Sequence, residues 1–279
     1  MQLCQFDDPF EFYAWARDYL LENEAVHNLL LRLCQTLMYD RDRYPGSYMA
    51  VVETDDTPVA VALKTPQHPL VLSRVADMDA LVLIAHSFDA RQQSLTAVSG
   101  PAVESQHFAQ LWQSRTGKPY HLSMALKVHQ LDAVQLQSRS PGQLRVATAD
   151  DRALLLQWHD DFSLEALGQP SNGGDHWFEH HLKHGTAYLW HNGAPVSLAC
   201  YGSTSPGAVA INLVYTPPQE RKKGYASACV AALCQRLLDQ GNRSCFLFTD
   251  LANSTSNKIY QAIGFRPVSD WMNYSFNDQ

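Results

Sequence analysis

Along this chain the apolar positions switch repeatedly between helical spacing and short strand-like runs, and the switches mark its elements. Asp8-Pro9 reads as a helix cap followed by a first-turn proline, with Glu11 at the third helical position. Helices are predicted over 9–21 and 24–38, the second with Val26, Leu29, Leu30, Leu33 and Leu37 on one face. Strands follow at 48–53 and 58–64, turned by Asp55-Asp56, and Leu70-Val71-Leu72 reads as a third. Then come a helix over 77–87, a short strand near 95–98, a helix over 102–115 stopped by Gly117, and a strand over 120–129.

The stretch 131–143 is polar, with Gln135, Gln137, Ser138, Ser140, Pro141 and Gly142, and reads as a linker. Beyond it a strand is predicted at 144–148 and a helix over 150–167 capped by Asp150 or Asp151. A shorter helix follows, capped by Asp175 and ended by Gly185. Strands at 187–190 and 194–201 meet across Asn192-Gly193, a strong hairpin signal. The rest reads as a strand at 209–214, a helix over 224–240 closed by Gly241-Asn242, a strand at 245–249, a helix over 254–263 and a last strand at 266–276. Both halves run through two helices, three strands, helix, strand, helix, strand. The expectation is an α/β protein of two related units, 1–130 and 144–279, joined by 131–143.

Composition narrows the function. With 46% hydrophobic and 18% charged residues, the 279-residue chain has material for folded cores. A net charge of −7 argues against broad binding to nucleic acid or anionic membranes. No run approaches the ~20 apolar residues that span a bilayer, and residues 1–8 lack the basic and apolar regions of a signal peptide. Cys4, Cys34, Cys200, Cys229, Cys234 and Cys245 form no paired-cysteine pattern, so buried reduced thiols and a cytoplasmic location are expected.

Against this acidic background one basic run stands out. After the apolar strand and Pro217-Pro218 come Arg221-Lys222-Lys223-Gly224-Tyr225-Ala226, and then an Ala-rich helix pattern. The first amides of a helix have no partner within it, and the aligned peptide dipoles place partial positive charge there. A diphosphate answers both. Gly224 and Ala226 let it approach the backbone, and the three cations add attraction. Taken alone, such a run also fits a solvated basic turn.

This segment resembles the acyl-CoA motif of the GNAT acetyltransferase superfamily, Gln/Arg-x-x-Gly-x-Gly/Ala between a strand and a helix. The resemblance implies that amides from Lys222 to Ala226 hold the CoA diphosphate. It also implies that Asn212-Leu213-Val214 pair through their backbone with the pantetheine arm and orient the thioester carbonyl. A second family signature is matched at Asn253, Ser256, Tyr260, Gly264 and Phe265, with Ser256 where Ala is commoner. By resemblance, Asn253 hydrogen-bonds the pantetheine region and Tyr260 is the general acid that protonates the departing thiolate. A phenol of pKa ~10 and a thiol of ~8.5 make that transfer close to balanced. The fold implied is a tandem of GNAT-like units, each a mixed, mostly antiparallel sheet flanked by helices.

No residue identifies itself as the base that deprotonates an acceptor. Glu165, near the end of its helix in a region that borders the acceptor site in this family, is the weak candidate, with Asp160 and Asp161 nearby. Proximity and amide donors at the developing oxyanion supply much of the rate without one. His176, His180 and His184 fall on one face of a short helix beside His181, but the HExxH pattern is not met, and no metal is expected. In the first half the place of the basic run reads Ser73-Arg74-Val75-Ala76-Asp77-Met78. It lacks glycine and carries an acid that caps a helix and repels phosphate. This unit therefore reads as degenerate, shaping the acceptor pocket or serving as an interface; Arg74 and His86 are its ligand-facing candidates.

The expectation is an acyl-CoA N-acyltransferase that uses acetyl-CoA as cosubstrate. Its acceptor would be the primary amine of a small molecule or amino acid, in a reaction compatible with a homodimer and without nucleic-acid or membrane partners. The alternatives are a non-catalytic acyl-CoA sensor or scaffold, and a zinc hydrolase built on the histidines 176–184.

Overall fold

The computed structural model describes residues 1–40, 43–90, 95–135, 140–168 and 173–277. The chain forms two compact units. One comprises Met1–His129 with Phe248–Ser254 and Pro267–Gln279; the other comprises Gln130–Leu247 with Thr255–Arg266. Of the expected linker 131–143, Leu131 still belongs to the strand Tyr120–Leu131, and 136–139 lie outside the described residues.

The elements repeat in order. The first series is β1 (Gln2–Gln5), α1 (Pro9–Glu22), α2 (Glu24–Tyr39), β2 (Tyr48–Thr54), β3 (Thr57–Lys64), β4 (Leu70–Leu72), α3 (Asp79–Ala90), β5 (Ala97–Pro101), α4 (Ala102–Thr116) and β6 (Tyr120–Leu131). The second is β7 (Gln143–Val146), α5 (Arg152–Leu167), α6 (Gly174–His184), β8 (Ala187–Asn192), β9 (Ala194–Ser205), β10 (Ala208–Tyr215), α7 (Tyr225–Asp239), β11 (Ser244–Asp250), α8 (Ser254–Ile263) and β12 (Arg266–Phe276). The fold is the mixed, mostly antiparallel α/β arrangement that the sequence implies.

Within the first unit the strand order is β1-β2-β3-β4-β5-β12-β6. Neighbours from β1 to β4 are antiparallel, and β4 and β5 are parallel. Beside β5 lies the chain's last strand: β12 pairs with it antiparallel from Trp271↔Pro101 to Ser275↔Ala97. In the second unit the order β11-β10-β9-β8-β7 is antiparallel except for the parallel β10–β11 ladder.

Both faces of the central strands are buried, because each unit carries helices on either side. In β2 and β3, Met49, Val51, Val61 and Leu63 join Phe12, Leu20, Leu30 and Leu31 of α1 and α2. Their alternates Ala50, Val52, Ala60 and Ala62 join Leu81, Ile84 and Phe108 of α3 and α4. The second unit repeats this: Leu189 and Leu198 face Leu155, Trp158 and Phe178, while Tyr188, Trp190 and Ala199 face α7 and α8. Trp271 of β12 is 1% exposed in the first unit's core, with its indole N–H donating to Ser99 Oγ at 2.8 Å.

Several local readings are refined. β1 was not legible: four residues with two polar ends carry little pattern, and they become a strand by pairing with β2 at Gln2↔Glu53. Helix α5 has Asp151 at its cap position, as read, but without a side-chain cap bond; the 3-10 turn that leads it is capped by Thr148 in a capping box with Asp151. Helix α6 starts at Gly173-Gly174, and Asp175 within its first turn pairs instead with Arg152 at 2.5 Å. Gly117 and Gly185 end their helices in the left-handed conformation, as read.

Candidate functional site

The candidate site of the second unit is built by one strand, one turn and one helix. Strand β10 pairs with β11 over only three positions, ending at Ala210↔Phe246, yet runs on to Tyr215. On its other edge the register moves from Asn212↔Cys200 to Tyr215↔Leu198, three steps on β10 against two on β9. The extra residue makes a bulge, and Leu213 sits there with φ +44, a conformation uncommon outside glycine. Leu213 and Val214 are half-buried, Leu213 packing with the core under α5 and α6 and Val214 with that under α7. Bulges of this kind end pairing and re-aim backbone groups.

Past Tyr215 the chain makes a 3-10 turn at Pro218–Glu220 and reaches α7 through Lys222 (φ +62) and Gly224 (φ +80, ψ 6). Gly224 at the cap position of α7 has no side chain to cap it, and among the described residues no side-chain cap bond is made to its start, which leaves first-turn amides for an external acceptor. Gly224 is exposed and Ala226 half-buried, as a close-approach surface requires. A Cβ at 224 would meet Ser140 Oγ at 2.6 Å. Ser140, read from sequence only as linker, donates to the Lys223 carbonyl at 3.1 Å and so packs over the turn.

Two of the three cations of the turn, Arg221 and Lys223, are engaged within the protein. Arg221 donates through Nε to the Thr216 carbonyl at 2.8 Å and through a terminal nitrogen to Glu165 Oε2 at 2.6 Å, and its guanidinium lies 5.8 Å from the Tyr215 ring. Lys223 pairs with Glu220 at 3.0 Å. Lys222 is exposed. The buried Tyr225 accepts from Asn192 Nδ2 at 3.0 Å through its hydroxyl, so its side chain anchors the helix start, leaving its amide for a ligand.

The structure thus brings Glu165, the base candidate, to the turn before α7, as the ion-pair partner of Arg221. Sequence reasoning missed Tyr215, one residue beyond the strand predicted at 209–214. It is 6% exposed, tilts against Trp158, and points its hydroxyl toward Asp161 Oδ2 at 3.5 Å. Burial, then the Asp161 charge, pushes its phenol up.

Tyr260 lies in the core with Cys229, Cys234, Ile263 and Phe265, its ring 5.8 Å from that of Phe265. Burial first, and then Cys234 and Cys229, push its phenol well above the ordinary tyrosine range. Gly264 (φ +116) is fixed by crowding, since a Cβ there would meet the Ala133 carbonyl at 2.9 Å. Asn253 belongs to the stretch grouped with the first unit, where its N–H donates to the Asp250 carbonyl at 3.0 Å.

The histidines of α6 divide into separate tasks. His181 shares a 2.6 Å hydrogen bond with Thr186 Oγ1 and packs on Trp177, while His180 tilts against His184. Among the described residues no three His, Cys, Asp or Glu groups come together to hold a metal, so the zinc alternative finds no ligand set among them. All six thiols are free, five of them buried. No described helix is long and apolar enough to cross a membrane.

Comparison with known proteins places this geometry. Residues 152–265 match the model of the acetyltransferase (GNAT) family. A search of curated proteins finds no match. Among solved structures, the chain is similar to a GNAT-family acetyltransferase from Colwellia psychrerythraea, with 10% identity, TM-score 0.60 and 99% and 100% of the two chains covered. It is also similar to a Drosophila protein, with 12% identity, TM-score 0.67 and coverage of 99% and 98%. A tandem GNAT protein from the clavulanic acid biosynthesis pathway aligns over 100% of this chain and 99% of its own, with 13% identity and TM-score 0.59. At these identities the likenesses establish the fold, over both repeats.

Proposed function

We propose, from the premise that residues 152–265 form a GNAT acyl-CoA N-acyltransferase domain, that the donor is acetyl-CoA and the acceptor the primary amine of a small molecule or amino acid. The observation that carries this reading is the uncapped start of α7 directly after the bulged end of β10. The amides of Lys222 to Ala226 would receive the diphosphate. The edge of β10 at Leu213 and Val214, beyond the last β11 pair, would receive the pantetheine amides and direct an N–H at the thioester oxygen.

Acetyl-CoA supplies an activated thioester, whose acyl carbon accepts the amine nitrogen while its sulfur departs. The chain's own residues do the rest. They hold amine and acyl carbon in contact, which removes much of the entropic barrier. Tyr260 donates its proton to the departing sulfur. Its raised affinity for that proton keeps it loaded at any working pH, and a thiolate in the same apolar surroundings is itself more basic. The amine's surplus proton passes to Glu165 or to water. Asp161 and Glu165 make this end of α5 acidic, which suits a cationic or neutral acceptor. Asn253 is assigned to the pantetheine by family resemblance.

Isothermal titration with CoA tests the reading on Gly224→Glu, which adds bulk and negative charge where the diphosphate would sit. Binding should be lost, and wild-type affinity would refute the placement. A panel of amines assayed with acetyl-CoA by release of free thiol then identifies the acceptor.

A further inference from the structure

The first unit contains a cavity of about 630 Å³ that acyl transfer in the second unit does not use. It opens where β4 and β5 part. The two run parallel through Leu70↔Val98 and Val71↔Ser99; β4 then ends at Leu72 while β5 continues to Pro101. The crevice beyond the carboxyl ends of parallel strands is where α/β sheets take ligands. Pro101, Val103 and Val268 supply apolar wall, and Arg74, Glu104, Lys127 and Asp270 supply charge.

The four charges cancel, but only two satisfy each other. Lys127 Nζ lies 2.6 Å from Asp270 Oδ1. Among the described residues, neither Arg74 nor Glu104 takes an ion-pair partner. Glu104 occupies the third position of α4, where a carboxylate usually reaches back to the N–H of the capping residue. That residue is Pro101, which has no N–H. Among the described residues the carboxylate, on a residue 8% exposed, is left with a single long contact, Val75 N–H at 3.4 Å. A buried charge so poorly served is costly unless a cation or donor reaches it. Arg74 is the neighbour of Val75, and its backbone is fixed on both sides. Its N–H donates to His27 Nε2 at 3.0 Å, and its carbonyl accepts from the Tyr19 hydroxyl at 2.7 Å.

We propose that this cavity binds a small zwitterion with an apolar body, a free amino acid or short peptide with apolar side chains. Its carboxylate lies on Arg74, its ammonium on Glu104, and its body against Pro101, Val103 and Val268. The balanced charge of the site disfavours diphosphates and other strongly anionic ligands. The first unit is then a ligand-binding unit in its own right, and this inference does not depend on what the second unit acylates.

Calorimetric titration of the full chain, without acetyl-CoA, tests this with leucyl-leucine and leucine as probes. N-acetylated and C-amidated leucyl-leucine are the controls. The zwitterionic probes should bind, and blocking either terminus should weaken binding by about tenfold or more. Arg74→Met and Glu104→Gln should each do the same, whereas Gly224→Glu should leave probe binding intact. Glu104→Gln keeps the side chain's shape and decides the matter if Arg74→Met fails to fold. Absence of heat with either probe up to about 10 mM overturns the proposal, as does equal binding of the blocked peptides. Binding that survives Glu104→Gln but is lost in Gly224→Glu would place the ligand in the second unit and also overturns it.

Discussion

The start of α3 and the start of α7 occupy the same place in the two repeats, and they have opposite chemistry. Before α3, Asp77 turns its carboxylate onto the Asp79 N–H at 2.9 Å, and the Ala80 N–H donates to the Asp77 carbonyl at 3.1 Å. The donors a diphosphate would need are taken, and the charge beside them is negative. Before α7, Gly224 stands in the left-handed region, no side chain among the described residues caps the helix, and Arg221, Lys222 and Lys223 precede it. The strands differ in the same sense. β4 is three residues long, whereas β10 runs eight and is bulged at Leu213. If the second unit binds CoA as proposed, the repeated fold fixes where the ligand crevice forms, while a few residues at a single helix start decide what that crevice accepts.

The comparison is broken most severely by Gly224→Glu, which gives the second unit the acid of the first. CoA affinity should fall by at least about a hundredfold, roughly 3 kcal/mol, read by calorimetry.

Next in size is an acid sensitivity confined to the first unit. His27 is 1% exposed, donates through Nδ1 to the Leu20 carbonyl at 2.9 Å and accepts the Arg74 N–H through Nε2. Burial pushes its pKa down to about 4. The unfolded chain, with a histidine near ~6.5, binds more protons between these values. The stability His27 contributes is thus complete above pH ~6.5 and is lost as pH falls toward 4, on the order of 3 kcal/mol in all. Urea unfolding of the wild type and of His27→Gln at several pH values should show the variant with a shallower slope in that window. Parallel slopes would count against the assignment.

Tyr260→Phe should lower kcat about ten- to a hundredfold and leave the KM for acetyl-CoA within about a factor of two or three. An unchanged kcat would mean that the proton comes from elsewhere. Asp77→Ala should cost the first unit about 1 kcal/mol through its lost cap, visible as a lower Tm, with CoA affinity unaltered.

The smallest effect is expected at Glu165→Gln. Releasing Arg221 from an exposed ion pair should change CoA affinity by less than about 1 kcal/mol, in the tightening direction, and the change should fade as salt is raised. A large loss of turnover at unchanged CoA affinity would instead mark Glu165 as the base.

Much of this protein could be read from its residues alone. Periodicity placed helices and strands because burial on both faces of a sheet leaves long apolar runs, and glycines such as Gly117 and Gly185 ended helices where left-handed backbone is needed. The basic run at 221–223 before Gly224 was legible because it departs from an acidic background and sits at a strand-to-helix switch.

Contacts distant in sequence were not legible. The pairing of β1 with β2, the placing of β12 beside β5, the packing of Ser140 over Lys223 and the ion pair of Arg221 with Glu165 join residues that share no local pattern. Nor could any spacing show that Pro101 deprives Glu104 of its usual donor beside a cavity, since the walls of that cavity come from β5, α4, β6, β12 and the turn after β4. Local propensity and hydrophobic period act over a few residues and so are written into the sequence directly. Which charges are buried, paired or left waiting depends on which surfaces meet, and only the folded chain decides that.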